Sequence, residues 1–141
     1  MNILDKQAKQ MIVEAIRSAE KETSGEIRVR VKARCGQDPM KEAQKVFRRL
    51  GMHRTRERNA VLIFVAFKSR CFAIFGDEKI HEKVGGQFWN ATRDTMNSFF
   101  LKGDILGGIT AGVRSAGERL KTHYPRKSDD KNELSNTVSE G

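Results

Sequence analysis

Arg58-Asn59-Ala60-Val61-Leu62-Ile63-Phe64-Val65-Ala66-Phe67-Lys68-Ser69-Arg70-Cys71-Phe72-Ala73-Ile74-Phe75-Gly76-Asp77-Glu78-Lys79-Ile80 is the stretch that decides the fold. Two apolar runs, residues 60–67 and 71–75, flank the polar break Lys68-Ser69-Arg70. Both are rich in β-branched and aromatic residues and too short for typical helices, so they read as a hairpin of two buried strands. With Lys68-Ser69 as the turn, Asn59 is expected opposite Asp77 at the open end, where the chain leaves through Gly76-Asp77-Glu78.

Toward the N-terminus, Asp5 is placed to cap a helix that carries Ala8, Met11, Ile12, Ala15, Ile16 and Ala19 at helical spacing, and Ser24-Gly25 ends it. Residues 26–34 then alternate. Ile27, Val29, Val31 and Ala33 face one way, and Arg28, Arg30, Lys32 and Arg34 the other, as in a half-exposed strand. The cations have two readings: protection of a sheet edge against pairing, or a track for an anionic polymer. No aromatic residue interleaves with them as single-strand binding usually requires, which favours edge protection. After the loop Cys35-Gly36-Gln37-Asp38-Pro39, Asp38 caps a second helix with Pro39 at its first position. Met40, Ala43, Val46, Phe47 and Leu50 form its apolar stripe, and Gly51 stops it. Strand, crossover helix and strand predict a parallel first pair with a right-handed connection. The intervening loop gathers Arg48, Arg49, His53, Arg54, Arg56 and Arg58 against Glu57, either as a solvated loop or as an anion contact.

Toward the C-terminus, a turn or short helix is expected over residues 76–85. A helix over residues 87–102 follows, with Phe88, Trp89, Thr92, Met96, Phe99 and Phe100 inward and Trp89 as a core anchor. Asp104 caps a last helix, Ile105–His123, along which Gly108, Gly112 and Ala116 permit close approach. From Pro125 the chain turns polar and has little to bury, so it should be mobile unless docked. The domain reading is a body over residues 1–124 and a tail over residues 125–141.

The chain has 141 residues, 38% hydrophobic, with a net charge of +9 and a pI near 9.9. Such a balance favours anionic partners, though a basic protein without one has the same composition. No apolar run approaches the roughly 20 residues a membrane helix needs, and the start lacks the pattern of a signal peptide. Cys35 and Cys71 do not form a disulfide framework. Free thiols and a cytoplasmic location are therefore the expectation.

Most catalytic motifs are absent. Lys41 rather than Arg follows Cys35 six residues on, so there is no cysteine-phosphatase loop. Walker and dinucleotide fingerprints are missing, and His81-Glu82 is followed by Gly85 where a zinc helix needs histidine. Asp129-Asp130-Lys131-Asn132-Glu133 has oxygen ligands without EF-hand spacing. One constellation remains. A parallel first pair and an antiparallel second bring Glu26, Asn59, Asp77 and Glu78 to one end of the sheet. Such oxygens suit a hard cation, Ca²⁺ or Mg²⁺. The competing reading is a salt bridge from Asp77 or Glu26 to Arg56 or Arg58. Arg54, Arg56 and Arg58 also arrive at that end as candidate anion-binding residues.

At these residues the chain resembles the TPM domain family, named for a thylakoid-lumen phosphatase, a photosystem repair protein and a receptor modulator. The carrying stretches are Thr23-Ser24-Gly25-Glu26-Ile27-Arg28-Val29, Leu50-Gly51-Met52-His53-Arg54-Thr55, Arg58-Asn59-Ala60-Val61-Leu62-Ile63 and Ala73-Ile74-Phe75-Gly76-Asp77. Val84-Gly85 through Phe88-Trp89 and Gly103-Asp104 through Gly108-Ile109 continue the pattern. The resemblance spans about residues 3–140 and, in its tail, is to short single-domain bacterial members. It implies an α/β/α sandwich with a small mixed sheet. For function it implies links to acid phosphatase activity, to Ca²⁺ binding and to stress response or maintenance of protein complexes. Many members carry Asp-Asn-Gly where this chain has Arg58-Asn59-Ala60, which removes one candidate ligand. The leading expectation is a binding or regulatory module that can take a divalent cation, Ca²⁺ or Mg²⁺, with an anionic ligand or a protein as partner. The alternatives are a low-efficiency phosphatase, with a cation at Asp77 and Arg58 stabilising charge, and a nucleic-acid binder using Arg28, Arg30 and the 48–58 cluster.

Overall fold

The apolar run of the hairpin becomes a strand with no face in water: β2, Ala60–Ala66, is buried at every residue. The computed structural model describes residues 5–126 and 132–140. Around β2 the chain lays down α1 (Lys6–Glu20), β1 (Glu26–Lys32), α2 (Pro39–Arg49) and a 3-10 turn (Met52–Arg54). After β2 come β3 (Cys71–Gly76), α3 (Glu78–Val84), α4 (Asn90–Leu101), α5 (Ile105–His123) and β4 (Ser139–Glu140). The strands form a sheet in the order β3-β2-β1-β4. β1 runs parallel to β2 and to β4, and β3 runs antiparallel to β2.

Alternation along β1 and β2 sends side chains to two cores. Ile27, Val29, Val31, Val61, Ile63, Val65 and Ile74 pack with α1, α4 and α5. Leu62, Phe64, Ala60 and Ala66 pack with Ala43, Val46 and Phe47 of α2. This is the three-layer α/β/α arrangement with a mixed sheet. Gly112 of α5 lies so near Met96 of α4 that a Cβ there would overlap the methionine side chain. Asp5, Asp38, Asp77 and Asp104 each cap a helix by accepting a backbone N–H. Each satisfies an N–H that the first turn leaves without a partner. No helix among the described residues is long and apolar enough to cross a membrane.

Three local expectations need correction. The hairpin register is displaced by one residue: Val61 faces Gly76, and the Asp77 N–H donates to the Ala60 carbonyl at 2.9 Å. Asp77 thus lies across from Ala60 rather than Asn59. The fourth helix begins at Asn90 rather than Gln87, because Trp89 serves as its N-cap residue while its own side chain is buried. Cys35 and Cys71, expected as free thiols, are joined as a disulfide. The hairpin turn folds onto the loop after β1, where Lys68 N–H donates to Ala33 C=O at 2.7 Å and Cys35 N–H to Ser69 Oγ at 3.1 Å. Residues 132–140, expected to be mobile unless docked, are docked along β1 through β4. The Asp129-Asp130 pair weighed as oxygen ligands lies outside the described residues.

Ile63 is fully buried in the central strand. Ile63→Ala should destabilise the fold by about 2–5 kcal/mol in urea titrations, through lost burial and a residual cavity. Thiol titration of denatured, unreduced protein should find no reactive sulfhydryl. Two reactive thiols would contradict the disulfide.

Candidate functional site

The polar end of the sheet is organised by one ion pair. Arg58 precedes β2 with a left-handed backbone, φ 51°. Its Nε and Nη2 donate to the two carboxylate oxygens of Asp77, each at 2.8 Å. Asp77 is 3% exposed. Besides Arg58 it accepts the Glu78 N–H at 2.7 Å as cap of α3. A planar guanidinium that meets both oxygens of a buried carboxylate gives the directional form of this interaction. Glu78 stands farther out, 3.7 Å from the Arg58 guanidinium.

The other expected site residues have separate partners. Glu26 accepts the Leu134 N–H at 2.7 Å. It lies across β1 from Ala60, which in turn faces Asp77, so Glu26 and Asp77 are two strand spacings apart, about 10 Å at the backbone. Asn59 donates to Ser24 Oγ at 3.4 Å. Arg54 is exposed, and the Arg56 N–H donates to the Glu133 carboxylate at 3.2 Å. Glu26, Asn59, Asp77 and Glu78 thus share one end of the sheet without converging on one point. Among the described residues no three His, Cys, Asp or Glu side chains cluster as metal ligands.

A cleft of about 440 Å³ opens from this end along β3, between α2 and the α3–α4 corner. Phe47, Phe75 and Trp89 contribute apolar walls, Arg48 and Arg93 contribute cationic groups, and His53 contributes an imidazole. His53 Nδ1 and Arg93 Nε are buried and lack hydrogen-bond partners. Trp89 was expected as a core anchor; it is 5% exposed, yet also borders the cleft. His53 and Arg48 belong to the basic loop weighed above as an anion contact, and the structure sets both on the cleft wall.

Reading the sequence missed Glu20, although it falls four residues after Ile16 on the apolar line of α1. Glu20 accepts the Ile27 N–H at 2.9 Å and is 8% exposed. The carboxyls of Glu20 and Glu26 are both pushed up from 4.5 to about 7, chiefly by burial. Their backbone hydrogen bonds oppose that shift, as does the charge of Arg126. The Glu26 charge adds to the rise at Glu20, and the Glu133 charge to that at Glu26.

Comparison with known proteins gives a consistent result. The family model of the TPM domain matches residues 1–119. The fold is similar to the NMR structure of BA42 protein from the psychrophilic bacterium Bizionia argentinensis, with a TM-score of 0.92 and 40% identity. That match covers 99% of this chain and 97% of the other. It is also similar in fold to the N-terminal domain of cg2496 protein from Corynebacterium glutamicum, with a TM-score of 0.59 and 17% identity over 85% of this chain and 74% of that one. No curated protein matches the chain significantly.

The raised carboxyl values carry a sign. Between pH 4.5 and about 7 the folded chain holds protons that the unfolded chain has released. Stability from these two groups is therefore full below pH 4.5 and is lost as pH rises to about 7. Thermal unfolding should occur at a lower temperature at pH 8 than at pH 5. Glu26→Gln, which keeps an acceptor without the charge, should flatten that difference.

Proposed function

The chain belongs to the TPM domain family, and we propose that it is a binding module that takes a small organic anion in the cleft along β3 without a divalent cation. The observation that carries this reading is the Arg58–Asp77 pair. It occupies both oxygens of the one deeply buried carboxylate in the cleft. Arg48 and Arg93 also line the cleft, where the other lining carboxylate, Glu78, is exposed. Apolar walls with a few convergent polar groups are the usual make-up of a small-molecule site, and about 440 Å³ suits a ligand of modest size.

The donor set does not suit a hard cation. Ca²⁺ takes six to eight oxygens at about 2.3–2.6 Å. Here Asp77 already accepts from Arg58 and from the Glu78 N–H, while Glu26 is engaged by the tail. The guanidinium brings to Asp77 the positive charge that a cation would otherwise supply. It is a fixed charge with no exchangeable water, so it offers no route to an activated nucleophile.

Titration of ¹⁵N-labelled protein with p-nitrophenyl phosphate should give saturable shifts of the Trp89 indole and the Gly76 and Glu78 amides, with no release of p-nitrophenol. Arg93→Ala should weaken that binding. Thermal melts should be insensitive to millimolar CaCl₂. Saturable stabilisation by calcium, or hydrolysis that disappears in Asp77→Asn, would overturn the reading.

A further inference from the structure

The cations of β1 need an explanation that edge protection does not give. β1 lies between β2 and β4, and its outer side is covered by the C-terminal segment. In that segment Ser139 and Glu140 pair with Arg30 and Val31. Arg28, Arg30 and Lys32 sit opposite Leu62, Phe64 and Ala66, and so share the face of the sheet that α2 covers. All three are half-buried. The Nε atoms of Arg28 and Arg30 are buried with no hydrogen-bond partner. Burial, and then the neighbouring Arg30 charge, push the Arg28 guanidinium below its ordinary value. Holding like charges side by side in partial burial disfavours the free protein, and an incoming anion relieves it.

Of these, Arg30 and Lys32 border a groove of about 350 Å³ between β1 and α2. Arg30, Lys32, Lys41, Lys45 and Arg49 line it, against the carboxylates of Asp38 and Glu42. Both carboxylates already have partners. Asp38 caps α2 through the Lys41 N–H at 3.2 Å, and Glu42 holds Lys32 at 2.7 Å and the Gly36 N–H at 3.2 Å. The Arg30 guanidinium donates to Ser139 Oγ and to the Glu140 carbonyl, both at 2.9 Å. That leaves Lys41, Lys45 and Arg49 exposed along one side of α2. The groove shares no lining residue with the cleft along β3 and lies on the other flank of α2.

We infer that this groove between β1 and α2 is a docking surface for the phosphate backbone of a nucleic-acid strand, held without reading its sequence. Charge complementarity selects a polyanion, since successive phosphates can meet cations that one small anion would leave uncompensated. The surface chemistry selects nucleic acid over an acidic bilayer. Membrane-surface helices press an apolar face into the lipid. The apolar face of α2 is in the core, and of the exposed large hydrophobic side chains only Met40, 39% exposed, belongs to α2. No aromatic residue lines the groove, so bases find no stacking platform there and binding rests on the backbone.

The test uses the full chain and fluorescein-labelled oligothymidylate of about 20 nucleotides, longer than one groove of this kind spans. Anisotropy titrations should show saturable binding that weakens with salt. If about four phosphates are neutralised, affinity falls about 50-fold between roughly 50 and 200 mM NaCl. Lys45→Ala/Arg49→Ala, both exposed on α2, should weaken binding at least about tenfold and shallow the salt slope by about 1.4. Lys6→Ala/Arg17→Ala removes the same charge from exposed positions on α1, across the sheet, and should change affinity little. Equal losses in the two double variants would mean that net charge alone attracts the strand, and would overturn the proposal. Absence of binding at low salt, or binding to phosphatidylserine vesicles without binding to the oligonucleotide, would overturn it as well.

Discussion

β2 is buried along its whole length, and that single condition dictates the arrangement of the rest. A strand with no solvent face needs a neighbour on each edge and a helix layer on each side. β1 and β3 take the edges, α2 takes one face, and α1, α4 and α5 take the other. The fit is tight where helices meet: Gly117 of α5 has no room for a Cβ beside Ala19 of α1. The buried carboxylates gather at or beyond the ends of the strands. Arg58 and Asp77 flank β2 and β3 at the same end.

Much of this was legible because hydrophobic period and helix caps are local signals. The two apolar runs, the alternation of Ile27, Val29 and Val31, and the aspartates before each long apolar stripe needed no tertiary information. The hairpin register was legible as well, but the expected pairing of Asn59 with Asp77 stood one residue off the expected turn. A turn over Lys68-Ser69 with Arg70 in a left-handed conformation, φ 56°, pairs Ala66 with Cys71 and sets Ala60 rather than Asn59 across from Asp77. The disulfide depends on the turn folding back onto Ala33, a contact between segments far apart in sequence. Composition likewise understated the tail. Leu134 and Val138 are its only sizeable apolar groups, yet they reach the two different cores, and backbone pairing with β1 supplies the remainder.

The shared sheet end of the candidate residues was legible, but their partners were not. Topology rightly brought Glu26, Asn59, Asp77 and Glu78 to one end of the sheet, and the salt bridge from Arg58 to Asp77 was one of the two readings open there. What the sequence did not disclose is that Glu26 has a backbone N–H of the tail to satisfy, at Leu134. That bond engages one Glu26 oxygen with the tail, and two strand spacings separate Glu26 from Asp77, so the two carboxylates do not form one ligand set. The cations of β1 were misread for a related reason. Edge protection presumes an edge, and whether β1 has one depends on where residues 132–140 dock.

Several acidic residues in this chain serve its own backbone. Four aspartates cap helices, and Glu20, Glu26 and Glu133 accept the N–H groups of Ile27, Leu134 and Arg56. Carboxylates used for internal hydrogen bonds are drawn toward the elements they terminate, whereas many of the lysines and arginines stand in water. The formal charge of +9 counts Glu20 and Glu26 as fully ionised. With both carboxyls titrating at about 7, each is near half-protonated at pH 7, and the folded chain carries about one more positive charge than its composition states. That excess declines as pH rises, so attraction of the folded chain for polyanions should strengthen in mildly acidic solution, before any histidine is invoked. The effect belongs to the whole field rather than to the groove, because Glu20 and Glu26 line neither the groove nor the cleft.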